Sequence, residues 1–302
     1  MNLWIQRKLS KVGPTDTQRT RLIRDAPGWR GLLTRRSLLM SAGAGALASA
    51  GAPNLAAADV DITAIQPSNT FAHIAYGTDP SGFYWKTSFV LVNIDSNPAT
   101  VRLLFYTTIG TALAVPLVGG APASQPVYNI PAYSSVLVEL DQTTGPVTAG
   151  WVGVIIDGKV SAQGIFKKHT PGQADVEALV PMFTRSQPLC IIPFPPGSVP
   201  PVLAMPFDNT NSYVTSVAFA NTATIDRTLD LEFLDEHGVS LWIAHEPLAA
   251  HNQLGFQTDA RYPAVAGKKG FMRVLNTQLD FTTLGFRFNP VNAFSTWLPV
   301  TG

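Results

Sequence analysis

Asp208-Asn209-Thr210-Asn211 sets four oxygen-bearing side chains in a row, and Asp79 lies in the matching loop of an earlier stretch. Oxygen ligands at this density suit a hard cation such as calcium. The alternating spacing of an EF-hand is absent, however, and Asx-rich turns need no metal, because their side chains hydrogen-bond their own backbone. No metal ligands are assigned and no cofactor is expected, calcium standing only as the alternative to an empty turn. The five histidines are scattered. His245 and His251 flank Glu246, but at the end of one strand and the approach to another. The chain has no Gly-x-Ser-x-Gly elbow, no His-Glu-x-x-His, no Walker loop and no Cys/His cluster. The expectation is a protein that is not an enzyme; the catalytic alternative is a hydrolase with a site between two domains.

Aromatic side chains offer a different chemistry. Phe83-Tyr84-Trp85 follows one loop, Tyr213 follows its equivalent, and Trp242 and Trp297 are further candidates. Flat rings near loop ends can stack on sugar faces. Trp85 and Trp151 read as core anchors of a β-sandwich, whereas Tyr84 is out of phase with Trp85 and faces solvent. The candidate ligand-binding residues are therefore Tyr84, Tyr213, Trp242, Asp208 and Asn209. Carbohydrate or another cell-envelope polymer is the ligand class they suggest.

The elements that must position these residues repeat. Thr87–Gly110 lies on Thr215–Gly238 after a shift of 128 positions, without a gap and with seven identities in 24. Unrelated sequence gives about one or two. The identical pairs include Thr87/Thr215, Asn93/Asn221, Leu103/Leu231, Phe105/Phe233 and Gly110/Gly238. The stretch reads as two paired strands and a turn, with Asn93 and Asn221 ending the first strand of each copy. Around it the pattern is period two, with strands expected at Phe71–Tyr76, Trp85–Ile94, Val101–Phe105, Leu113–Leu117, Ser134–Leu140, Gly150–Ile156 and Val160–Phe166. Asp157-Gly158 between the last two predicts a hairpin. The fold class expected is all-β: two tandem antiparallel β-sandwiches, immunoglobulin-like or jelly-roll-like, related by internal duplication. Their bounds are 64–183 and 203–302, with a packed Pro-rich linker at 184–202.

The chain's net charge of +1 conceals two unlike parts. Residues 1–36 hold nine Lys/Arg against two Asp; the remainder holds 12 basic and 18 acidic residues, a net −6. That remainder has no basic footprint for nucleic acid. Thr34-Arg35-Arg36-Ser37-Leu38-Leu39 resembles a twin-arginine export signal, which implies the twin-arginine translocase as a partner. A mildly apolar run and small-x-small residues follow, with cleavage expected after Ala58, Ala56 being the other small residue of that site. Residues 1–58 are thus read as a signal, leaving no stable membrane span, and the mature chain is expected in the periplasm, at the cell surface or outside the cell. Cys190, the only cysteine, excludes an internal disulfide and reads as a small buried hydrophobe.

Trp85-Lys86-Thr87-Ser88-Phe89-Val90-Leu91-Val92-Asn93, Pro206-Phe207-Asp208-Asn209-Thr210 and Leu284-Gly285-Phe286-Arg287-Phe288-Asn289-Pro290 resemble segments of uncharacterised secreted proteins of soil bacteria that carry paired repeats. The resemblance covers both halves. It implies an architecture and carries no catalytic residue. Beside ligand binding, the alternative function is a structural or adhesive envelope or fibre component assembling edge to edge.

Overall fold

Period-two alternation becomes antiparallel strands across the described residues of the computed structural model, which are 60–141, 145–184, 203–275, 280–291 and 293–299. The export signal with Arg35 and Arg36, the cleavage residues Ala56 and Ala58, Cys190 and the Pro-rich stretch from 185 to 202 lie outside them. The first half holds β1 (Asn69–Thr78), β2 (Tyr84–Asn93), β3 (Ala99–Thr107), β4 (Val127–Ile130), β5 (Ser135–Glu139), β6 (Thr148–Asp157), β7 (Val160–His169), β8 (Val176–Pro181) and β9 (Phe183–Thr184). The second holds β10 (Leu203–Asp208), β11 (Val214–Asn221), β12 (Arg227–Asp235), β13 (Ser240–Leu248), β14 (Gln253–Gln257), β15 (Lys269–Val274), β16 (Phe281–Phe288) and β17 (Phe294–Trp297). A four-residue helix, α1 (Thr258–Arg261), follows β14.

These strands form three sheets. One runs β4-β3-β6-β1-β2-β7-β8, with β5 on β2 and β9 on β1; the others run β10-β15-β12-β13 and β14-β11-β16-β17. In the first sheet β1 is the joint. Asn69 to Tyr76 pair with β6, and only Gly77 and Thr78 pair with β2. On either side of that joint the order β1-β6-β3-β4 recurs as β10-β15-β12-β13, and β5-β2-β7-β8 recurs as β14-β11-β16-β17. The apolar faces of each set turn inward. Phe89 meets Phe71 at 4.9 Å and Phe105 at 6.1 Å between ring centroids, and Phe207 meets Phe233 at 5.6 Å.

Three expectations are corrected. The two strands of the repeated stretch do not pair: β2 bonds β1, β5 and β7, while β3 bonds β4 and β6. Apolar side chains on both strands drive them to face each other across the core. Asp157-Gly158 is not a hairpin turn, since β6 bonds β1 and β3 whereas β7 bonds β2 and β8. A tight hairpin of this kind needs positive φ at both central residues, and only Gly158 has it, at 117°. Finally, Leu113–Leu117 makes isolated bridges, Val115 with Ala123 and Leu117 with Leu140, and no strand. Pro116 within it has no N–H to extend a ladder.

The repeated polar residues do the same work twice. Thr87 Oγ1 donates to Ala75 O and accepts from Ala75 N; Thr215 Oγ1 does so with Asp208 O and Asp208 N. Asn93 Nδ2 donates to the carbonyls of Asn97, Ile130 and Pro131, and Asn221 Nδ2 to those of Ile225, Leu248 and Ala249. Two glycines repeat for steric reasons. A β-carbon on Gly150 would stand 2.1 Å from Tyr106 O, and one on Gly270 2.0 Å from Leu234 O. Gly270→Ala should therefore cost about 1–3 kcal/mol by forcing β12 and β15 apart. Urea unfolding measures this, and an unchanged midpoint would refute the steric role.

The described residues belong to one compact unit, and the halves interlock within it. The outward face of β3 and β6 carries Leu104, Tyr106 and Trp151, all fully buried beneath Ile62 and Ala220. His251 stacks over Tyr106 at 5.0 Å, and its carbonyl accepts from Trp151 Nε1 at 2.7 Å. Gln253 Nε2 donates to Ala72 O and Gly150 O. Nearby, Phe166 stacks on Phe286 at 5.2 Å.

Candidate functional site

The turn between β10 and β11 gathers three of the five candidate residues. Asp208 ends β10, and its Oδ1 accepts from Thr210 N at 3.0 Å and Thr210 Oγ1 at 2.6 Å. Asn211 and Ser212 both take positive φ, 50° and 64°, and the Tyr213 N–H donates to Thr210 O. This delivers Tyr213 to the start of β11. From β16, Arg287 reaches across and donates through Nε (3.0 Å) and Nη2 (2.6 Å) to Asp208 Oδ2. Its guanidinium carbon lies 3.5 Å from the Tyr213 ring centroid and 5.8 Å from that of Trp297. Burial alone would raise the Asp208 carboxyl; the bonds from Thr210 and Arg287 outweigh it and hold the group below the usual carboxylate value.

This arrangement is a guanidinium stacked on the Tyr213 ring, half-buried and backed by a carboxylate, with Trp297 near it and packed against the core of the second half. Arg carries five N–H donors in a rigid fork, and Asp208 engages two of them. The fork can hold hydroxyl or carboxylate oxygens while the half-buried Tyr213 ring presents an apolar face beside it. Both Asp208 oxygens are already bonded within the protein, which accounts for the turn without a cation. Among the described residues no three His, Cys, Asp or Glu lie where they could share a metal ion.

Asn209 is corrected from ligand contact to framework. It is buried; Nδ2 donates to Thr258 Oγ1 and Val265 O, and Oδ1 accepts from Thr215 N. Its amide has no edge left for a ligand. Tyr84 is half-buried in the other half, stacked on His169 at 4.6 Å, beside the His169–Asp175–Lys167 group. Trp242 is 47% exposed on β13. It is not brought to the cluster, because β13 and β10 are opposite edges of one sheet. Trp85 and Trp151 are buried, as their phase suggested.

The histidines and Glu246 go separate ways. His245 Nδ1 lies 2.7 Å from Asp230 Oδ1 on an outward face, while Glu246 is held by Arg261 and by the Tyr262 hydroxyl. His251 Nε2 donates to Thr63 O, and burial lowers its pKa despite that bond and the Asp61 charge. His73, against Phe166 and Phe286, is pulled down to about 4 by burial. Both are neutral imidazoles packed into the fold at neutral pH.

Arg287 is the residue that sequence reading missed as a site residue. A signal existed in the repeat: Arg287 opposes Thr215 where Phe166 opposes Thr87. In the first half the position is an aromatic stack, Phe166 on Trp85 at 4.6 Å. The equivalent place in the second half carries a charge, which pairs with Asp208. No helix among the described residues is long and apolar enough to cross a membrane. No family model, curated protein or solved structure matches the chain.

Proposed function

We propose that the chain is an exported, non-catalytic protein of two tandem antiparallel β-sandwiches related by duplication. In this reading it binds carbohydrate or another cell-envelope polymer at the Tyr213–Arg287–Trp297 surface. The recurrence of strand order and of the Thr and Asn bonds supports the duplication. The convergence of Asp208 and Tyr213 on a half-exposed guanidinium from a distant strand carries the binding reading. The export signal motivates the choice of envelope polymers, and the resemblance to secreted repeat proteins agrees with it.

A glycan array on the purified chain, followed by titration of the best ligand, tests this. Arg287→Lys keeps the charge but loses the stacked fork, so affinity should fall about tenfold, the equivalent of about 1.4 kcal/mol. A chain that binds no glycan, or a variant that binds as tightly as the parent, would sink the reading. A second reading, assembly into an envelope or fibre structure, is favoured by a separate observation: His251 and Trp151, buried against each other within the chain, have exposed equivalents in Tyr133 and Phe271.

A further inference from the structure

The contact between the halves has a plug and a socket. The plug is the turn before β14, with His251 at φ 57°, shaped by Asn221 N donating to Asn252 O and His251 N to Ala223 O. The socket is the outward face of β3 and β6, where Tyr106 and Trp151 oppose each other directly in register. Each has a counterpart in the opposite half. The turn before β5 has Tyr133 at φ 51°, with Asn93 N donating to Ser134 O and Tyr133 N to Asp95 O. This turn therefore copies the plug bond for bond, and Tyr133 stands 74% exposed at its tip, with Ile94 exposed beside it. On β12 and β15, Leu234 and Phe271 oppose each other as Tyr106 and Trp151 do. Trp151 is fully buried, whereas Phe271 is 36% exposed beside a Leu234 that is buried. Glu232 and Arg273, paired at 2.6 Å through Nε, border this second socket.

We infer that a second copy of this chain seats its own Tyr133 turn on the exposed Phe271 of this second socket, repeating between molecules the contact that the two halves make within one. The tyrosine ring covers Phe271, beside which Leu234 and Glu232 are already buried within the chain, and its hydroxyl meets the half-buried Arg273. Plug and socket lie on different halves, so the contact is heterologous. One molecule's plug fills its neighbour's socket and leaves that neighbour's plug free. Such an interface propagates into an open filament, or into a ring if the rotation closes. This inference deepens the assembly reading, rests on it, and is independent of ligand binding at Arg287.

Sedimentation of the purified full chain over a wide concentration range gives the test. The parent should form a concentration-dependent series beyond the dimer. Tyr133→Ser, at an exposed position that folding does not need, should weaken association at least about tenfold, as loss of a central aromatic anchor does. Phe271→Ser should do the same, and an equimolar mixture of the two variants should stop at a dimer, joined by the one intact plug and the one intact socket. Polymers that form equally well in Tyr133→Ser would overturn this interface while leaving assembly standing. A chain that stays monomeric throughout, whether because a segment of its own fills the socket or because nothing does, would overturn both.

Discussion

Asn221→Ala should destabilise the protein by about 3 kcal/mol or more, and Asn93→Ala should do so by nearly the same amount. The two side chains are fully buried, and each Nδ2 is shared among three carbonyls from two separate turns. Each Oδ1 also accepts a backbone N–H two residues on, Asp95 in one copy and Ala223 in the other. Alanine removes donor and acceptor together and leaves buried carbonyls unpaired, at about 1–3 kcal/mol for each group stranded. Water cannot easily repair the loss where the ladder ends inside the fold. Asn→Asp makes a sharper version of the experiment: it retains the acceptor but aims a carboxylate at carbonyl oxygens, so it should be at least as damaging as Ala. Urea unfolding monitored by tryptophan fluorescence gives the numbers. Losses below about 1 kcal/mol at both sites would show that the asparagines are incidental to the turns.

That equality of effect follows from something sequence could show. Asn93 and Asn221, Thr87 and Thr215, and the apolar pairs Leu103/Leu231 and Phe105/Phe233 are read directly from the shift of 128 positions. Strand existence and inward-facing residues were legible for the same reason, because a period of two fixes which face a side chain takes. Partners were not. Alternation says nothing about which strand lies alongside, so β2 and β3, consecutive and alike, were read as paired when they face each other across the core. The Asp157-Gly158 turn failed similarly: the dipeptide reports that the chain reverses, but the sheets into which β6 and β7 settle are fixed by β3 and β2. The candidate site divides along the same line. The Asp208–Tyr213 turn is local and was seen, whereas Arg287 reaches Asp208 from 79 positions away. Asn209 misled because an amide has the same composition whether it faces solvent or bonds Thr215 and Thr258 inside.

Trp151→Ala should cost about 3–5 kcal/mol, while Phe271→Ala, at the same place in the repeat, should cost less than about 1 kcal/mol for the isolated molecule. What covers each ring sets the difference. Trp151 lies flat on Tyr106 at 4.2 Å and 6°, with His251 beyond, and its indole N–H is bonded to the His251 carbonyl. Its removal opens a cavity between the halves and strands that carbonyl. Trp151→Phe retains most of the stack but loses the bond, so an intermediate loss of about 1–2 kcal/mol separates packing from hydrogen bonding. Phe271 has a cross-strand neighbour in Leu234 and is 36% exposed. The difference between the two alanine variants therefore measures what the covering half contributes to a ring that the strand pairing alone already positions. Equal costs would mean that the sheet, and not the junction, holds Trp151. A large difference identifies the junction between the halves as a cohesive interface, strong enough to serve as the pattern for a contact between molecules.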